Sequence, residues 1–365
     1  MINLQFFPSR PIALYMARLF LLRSLAVLGA LVVILMTLDL LGNSGEILAV
    51  PGNGDAELWR YVSLRLPQLV NRFLPFSVLL GTLITLATLN QHSEIVSMKA
   101  AGISAHQIIA PLILSAVLVA MLHFAFNERI VTRATAALDA WESAEWRNVP
   151  QASGGQSDVA LIHRDDLIFV RRVSGRGDEV RLAGVTIYER EGGTLRRIIE
   201  AESAARAAGG WLLRNVSTFS VDTGQRGRLA SLTFGRDIRP DQFTLARVDP
   251  DEEDFWTLRR SIAELRAVDR PTESLEANLW RKLASPMSSI LMPLLAAVAA
   301  FGLARSGALF ARAVIGMALG FAYFVADNFA LAMGNFGAYS PLLAAWGPFV
   351  LFMLVGEAVL IRTEE

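Results

Sequence analysis

The chemistry open to this chain rests on a few charged residues in apolar company. Asp39, Asp327 and Glu357 interrupt runs that are otherwise almost entirely hydrophobic. A carboxylate in a hydrocarbon setting is costly enough that it faces a cavity, a partner helix or a cation. Asp327 lies about two helical turns inside its run, at about 1.5 Å per residue. It is the acid best placed to face a cavity or another helix, with a buried pair to an arginine as the equal alternative. Glu357 is about one turn from the end of its run and Asp39 is near the end of another, where water is within reach. Cations form the second set. Arg60, Arg65, Arg281 and Lys282 flank the ends of apolar runs. That position suits snorkelling of a long side chain, and it equally suits pairing with a phosphate.

Much other chemistry is excluded. His92, His106, His123 and His163 show no metal-ligand spacing, and neither H-E-x-x-H nor G-x-S-x-G occurs. There is no cysteine, so disulfides and thiol catalysis are absent. Of 34 basic residues only Lys99 and Lys282 are lysine, and neither follows a glycine. No phosphate loop of the G-x-x-x-x-G-K-[ST] kind can therefore form. If nucleotide energy drives this chain, another chain binds the nucleotide. A formal net charge of zero gives no field that points to nucleic acid. No catalytic, cofactor or metal site is assigned.

These residues need a scaffold, and the composition supplies one. The chain is 53% hydrophobic and only 19% charged. Helical crossing of a bilayer takes roughly 20 apolar residues. Ser24–Leu41, Phe73–Leu89, Ile103–Phe126, Leu283–Ala304, Ala313–Met333 and Tyr339–Ile361 qualify, as two blocks of three. The first is read as a retained helix, not a cleaved signal. An interfacial helix carrying Arg10, Arg18 and Arg23 is expected before it. The third span should continue as a helix to about Asn148, where Pro150 and "SGGQ" end it. Residues 158–248 read as short strands divided by turns such as Glu191-Gly192-Gly193 and Ala208-Gly209-Gly210. In Trp211–Val221 the odd positions Trp211, Leu213, Phe219 and Val221 should share one face. "DEEDFWTLRRSIAELRA" then gives a short amphipathic helix. The expected fold is an α-helical membrane protein with six transmembrane helices and an inserted all-β, jelly-roll-like domain. Its parts are residues 1–126, 127–270 and 271–365.

Basic residues near the span ends tie between the two sides. The N-terminal segment, with three arginines and no acid, breaks the tie. Both termini, Gln91–Gly102 and Ala304–Arg312 are placed in the cytoplasm and the β-domain outside. In "QHSEIVSMKAAGIS", residues 91–104, Ser93 can cap a short helix at about residues 92–102. Glu94 falls in its first turn and Gly102 stops it. Such a connector is either a surface feature of no consequence or a knob for a groove on a cytoplasmic motor. "GMALG", Gly316–Gly320, offers small residues for close helix contact, within this chain or with a second one.

Three segments carry a resemblance. "LLGTLITLATLNQHSEIVSMKAAGIS", "WRKLASPMSSILMPLLAAVAAF" and "GGWLLRNVS" are similar to the lipopolysaccharide export permeases LptF and LptG. The likeness covers nearly the whole chain, and the connector is nearer the LptG branch. It implies a non-catalytic permease subunit of an ATP-driven exporter in the Gram-negative inner membrane. Such a subunit takes lipopolysaccharide from the outer leaflet and passes it through a periplasmic jelly roll. The resemblance makes the connector a coupling helix docked on the cytoplasmic ATPase LptB, a dimer that would use the ATP and magnesium; no cofactor belongs to this chain. Glu94 matches the family's acidic residue there, with Met98, Lys99, Gly102 and Ser104 in the same motif. Further implied partners are the paralogous permease LptF, LptC and, through it, LptA. The first and fifth spans would line a lateral gate. One departure stands out: Asp39 occupies the outer half of the first span, where a basic residue is expected. The substrate-rim candidates Arg60, Arg65, Arg281 and Lys282 therefore come from their positions alone. Two rivals stay open, an ion-driven secondary transporter using Asp327 and Glu357 and a membrane-anchored assembly scaffold.

Overall fold

Long apolar runs satisfy their own backbone only as helices when no water is near. The computed structural model describes residues 8–147, 155–175, 179–207, 209–240, 243, 248–267, 270–302 and 309–364. In chain order the helices are α1 (Arg10–Ala49), α2 (Asp55–Gln91), α3 (Glu94–Ala100), α4 (Ala105–Phe126) and α5 (Thr132–Ser143). After the sheet come α6 (Phe255–Arg266), α7 (Glu273–Ala297), α8 (Leu309–Asn335) and α9 (Pro341–Glu364). The six membrane-length helices expected from the sequence are present: α1, α2, α4 running into α5, α7, α8 and α9. Pro150, Ala208 and Arg305 lie outside the described residues.

The chain divides into two compact units, Met1–Leu138 with Pro250–Glu365, and Asp139–Asp249. The inserted unit is thus drawn more tightly than 127–270. The π-turn Asn127–Val131 that follows α4 and helix α6 belong with the membrane helices; Glu128 accepts a hydrogen bond from the Phe255 amide at 2.5 Å. A separate interfacial helix before the first span is not what forms. α1 is one helix of 40 residues, because nothing after Pro11 breaks it. At about 1.5 Å per residue it is roughly twice as long as a 30 Å hydrocarbon core.

Within the helical unit α7 is the axle. Its apolar window is 72% buried, against 22% for α1 and for α8. Leu291, Leu294 and Leu295 of α7 share one core with Leu79 and Leu86 of α2 and Leu112 of α4. Small residues set the closest approaches. A Cβ on Gly81 of α2 would lie 2.2 Å from Ser24 Oγ and 2.7 Å from Ser24 Cα of α1. Gly316 packs against Leu83 and Ala299, and Gly320 against Leu79. The G-x-x-x-G glycines are therefore used inside this chain.

The second unit is a six-stranded antiparallel sheet in chain order. Its strands are β1 (Gly155–His163), β2 (Asp166–Ser174), β3 (Arg181–Glu191), β4 (Thr194–Ala207), β5 (Gly210–Ser220) and β6 (Arg226–Phe234). The expected Gly192-Gly193 turn forms with both φ positive, at 59° and 79°, as a tight hairpin requires. A flat meander has one face per side, yet one core gathers Val159, Val170, Val185, Ala201 and Val216 with Val173, Leu182, Ala204 and Leu213. Alternation by two cannot do this, since side chains two apart share a face. The buried positions on β2 to β5 are instead three apart: 170 and 173, 182 and 185, 201 and 204, 213 and 216. Between them the ladders skip Arg171, Gly184, Glu202 and Asn215, which fall opposite one another in register. Gly184 and Asn215 have φ of 65° and 53°. The sheet is creased along this row, so a single meander turns both halves onto one core, as a sandwich does with two sheets. The crease also corrects the expected face of β5: Trp211 and Leu213 point inward, and the inward set resumes at Val216, not at Phe219.

Two tests follow. Gly81→Ala must push α1 from α2, at a cost of about 1–3 kcal/mol. It should lower the melting temperature in detergent, whereas Gly29→Ala, with nothing within 4 Å of the added Cβ, should leave it unchanged or higher. At α6, burial raises the Asp254 carboxyl, but hydrogen bonds from Thr257 and Trp256 outweigh it and hold the group below the usual carboxylate range. This cap stabilises the fold above the ordinary carboxylate pKa, and its contribution is lost as pH falls through the depressed folded value. Asp254→Asn should flatten that acid limb of the melting curve.

Candidate functional site

The connector between α2 and α4 is a helix fixed at both ends. α3 buries Ile95 and half-buries Met98 against the helical core, while Val96, Ser97, Lys99 and Ala100 face outward. Glu94 is half-buried and accepts a hydrogen bond from Tyr15 of α1 at 3.3 Å. Lys99 Nζ stands 5.1 Å from the ring centre of Phe301, in the π-turn Val298–Gly302 that ends α7. Gly102 has φ of 83°. Its amide donates to Lys99 O at 2.9 Å and that of Ile103 to Met98 O at 3.1 Å, the Schellman ending that favours glycine. Ser104 caps α4, with Ser104 Oγ and Gln107 each bonding the other's backbone amide. Ser93 does not cap α3. It sits at φ 60°, outside the extended conformation an N-cap needs, because α2 runs on to Gln91 and leaves two residues for the turn.

The intramembrane acids Asp39, Asp327 and Glu357 each face a basic side chain on another helix. Asp39 of α1 holds Arg65 of α2 in a two-pronged pair, with Nη2 at 3.0 Å and Nε at 3.2 Å, and accepts from Tyr61 at 2.5 Å. Arg281 of α7 meets Asp327 of α8 at 3.1 Å. Lys282 of α7 lies 4.0 Å from Glu128 of the first π-turn. Glu357 of α9 does not simply reach water; its carboxylate is 2.9 Å from His106 Nε2 of α4. Of the four rim candidates, Arg65, Arg281 and Lys282 thus each face an acid. Arg60 is a half-buried residue of α2.

Several of these residues border one polar cavity of about 660 Å³ between α2, α4, α7 and α8. Gln68, Asn71 and Arg72 reach it from α2, His123 and Asn127 from α4 and its π-turn, and Asn278, Arg281 and Lys282 from α7. Asp327 and Asn328 close it from α8. Arg281, Lys282 and Asp327 are brought together here; Arg60, Arg65 and Asp39 are not among its lining residues, nor is the connector. Gln68, Asn71, Asn278 and Asn328 were not singled out from the sequence, and Arg72 only as one of the basic residues near the span ends. Their signal is periodic: 68, 71 and 72, and 278, 281 and 282, each recur at the i, i+3, i+4 spacing of one helix face. If the Arg281–Asp327 pair is a structural tie, Asp327→Leu alone strands a cation and should lower the melting temperature sharply. Asp327→Leu with Arg281→Leu should recover part of the loss, with a coupling of about 0.5–3 kcal/mol read from a double-mutant cycle.

Comparison with known proteins agrees with this architecture. The family model described as lipopolysaccharide export system permease LptF/LptG matches residues 14–362. The lipopolysaccharide export system permease protein LptG of Haemophilus influenzae is 28% identical over 367 residues, covering 93% of this chain and 97% of its own. Its namesake in Escherichia coli K12 is 25% identical over 315 residues, covering 83% and 84%. With a helical unit and an inserted sheet, matched along nearly its whole length, the chain belongs to the LptF/LptG family of lipopolysaccharide export permeases.

Proposed function

We propose that this chain is the permease subunit that converts nucleotide-driven movement of a separate ATPase into extraction of lipopolysaccharide from the outer leaflet of the inner membrane. The reading rests chiefly on α3. A two-turn helix stopped by Gly102, followed by a capped α4 and anchored by Ile95, can be pushed as a unit. Its outward face of Val96, Ser97, Lys99 and Ala100, with Glu94 at its edge, is available to a partner. In the proposed orientation α3 and both termini are cytoplasmic and the creased sheet is periplasmic. The ATPase, LptB in the resemblance, acts as a dimer that carries the ATP and magnesium chemistry; this chain supplies no cofactor. Its movement shifts the population between states of different affinity for the lipid.

The exposed apolar faces of α1 and α8, where Val33, Leu38, Phe321 and Phe329 are all more than half exposed, suit a lateral gate shared with a paralogous permease, LptF. The sheet would pass the lipid to LptC and through it to LptA. Arg60, Arg65, Arg281 and Lys282 remain candidates for rim contacts, the last three beside the acids they face.

Glu94→Lys should abolish co-purification with the ATPase and nucleotide-dependent lipid release, while membrane insertion stays normal. Proteoliposomes holding the full complex should release lipid only with hydrolysable nucleotide. Release that follows a proton gradient alone, or an unchanged Glu94→Lys complex, would overturn the reading.

A further inference from the structure

The polar cavity contains two buried groups whose needs the protein does not meet and one exposed cation with no acid facing it among the described residues. Gln68 accepts from Arg65 Nη1 at 2.7 Å, but its own Nε2 is buried without a hydrogen-bond partner among the described residues. His123 is 2% exposed, and its Nε2 is 2.8 Å from Asn71 Oδ1. With the Asn71 oxygen accepting, Nε2 carries the proton, so the neutral ring presents Nδ1 as a lone pair. That atom too is buried and unpartnered. Arg72, exposed at the cavity wall, has no ion pair among the described residues. Arg281 and Lys282 differ, since Asp327 and Glu128 face them.

Each unmet need has a definite sign. Gln68 requires an acceptor and His123 a donor, while the exposed Arg72 is open to an anion. Buried polar groups are normally satisfied, and each exception calls for an explanation. Gln68, Asn71 and Arg72 share one face of α2 and His123 bonds Asn71, so one ligand can address Gln68, His123 and Arg72 together. A volume of 660 Å³ falls in the range of small-molecule sites, about 300–1,000 Å³. Phe76 and Phe324, edge to face at 5.3 Å, both line it and supply an apolar wall.

We propose that this cavity, lined by one chain, receives a lipid headgroup that carries both a phosphate and an O–H or N–H donor. Arg72 holds the phosphate, Gln68 donates to a headgroup oxygen, and His123 Nδ1 accepts from the hydroxyl, amine or amide. The site deepens the lipid-handling reading above and rests on it. Two sources share this chemistry, the phosphorylated amino sugar of the exported lipid and the resident phosphatidylglycerol or phosphatidylethanolamine. A choline headgroup lacks the donor and does not fit.

The test places the full chain, with its co-purified partners, in phosphatidylcholine nanodiscs doped with lipopolysaccharide, phosphatidylglycerol or phosphatidylethanolamine. Phe324→p-benzoylphenylalanine puts a photo-cross-linker on the cavity wall. Cross-linking to a doped lipid, and not to phosphatidylcholine, is expected, and the lipid captured names the source. Arg72→Gln should lower the yield about tenfold, as loss of a charge-assisted hydrogen bond predicts. Arg72→Lys should keep most of it, and Arg129→Gln, outside the cavity lining, all of it. Equal capture of phosphatidylcholine, or a yield indifferent to Arg72→Gln in a folded complex, overturns the proposal. Nucleotide-dependent lipid release is measured on the same complexes. Release without cavity capture defeats this inference and leaves the permease reading standing; capture without release does the reverse.

Discussion

In a bilayer an unpaired charge has nowhere to go, and that constraint organises this molecule. Apolar contact between helices discriminates little when lipid is equally apolar. The polar ties therefore specify which helices meet. Asp39–Arg65 joins α1 to α2, Asn71–His123 joins α2 to α4, and Arg281–Asp327 joins α7 to α8. Lys282–Glu128 ties α7 to the π-turn after α4, and His106–Glu357 ties α4 to α9. These five ties reach all six membrane-length helices. Glycine and serine contacts such as Ser24 against Gly81 then allow the approach that the ties demand.

The helices were legible because their signal is one-dimensional. Twenty apolar residues must cross or bury, whatever they pack against, so six spans and an inserted β-region could be read from composition. The joins were less legible. Nothing in "RPIALYMARLFLLR" separates an interfacial helix from the first turns of a long one, since both are amphipathic and unbroken. The crease was hidden for a different reason. Period-two reading assumes that a strand keeps one face inward, and a row skipped in register by neighbouring strands is a property of the pairing. In that row only Gly184 and Asn215 are of types that tolerate a positive φ, a weak hint at it.

The site was half legible. Asp327 stood out as an intramembrane acid with an arginine among its possible partners, but which arginine depends on how α7 and α8 are rotated. Ser93 looked like an N-cap from its type and position. Tertiary geometry removed that role by extending α2 to Gln91. The polar stripe Gln68-Asn71-Arg72 escaped notice because it precedes the fully apolar part of α2, where polar residues are ordinary. The π-turn at Asn127–Val131 matters here. Residues four apart on an α-helix drift by about 40° from one face. A local turn with i→i+5 bonds reverses that drift and helps keep His123, Asn127, Val131 and Thr135 on the cavity.

The second π-turn lies against the connector. Val298–Gly302 ends the most buried helix, and Phe301 within it meets Lys99 of α3. α7 thus touches the connector at one end and carries Arg281 and Lys282 at the other, about 25–30 Å away along a helical rise of about 1.5 Å per residue. Being packed along most of its length, α7 cannot bend freely to absorb a push on α3. A displacement of the connector would be taken up by sliding or rotation of α7, or by rearrangement at the π-turn or at Pro286 and Pro293, the points where its hydrogen-bond ladder is interrupted. Rotation would shift Arg281 against Asp327 and reshape the polar cavity. Rearrangement of the π-turn would leave it untouched. The ties at the Arg281 end of α7 would therefore set how much of a connector movement can arrive there, and stronger ties would direct more of it into the turn.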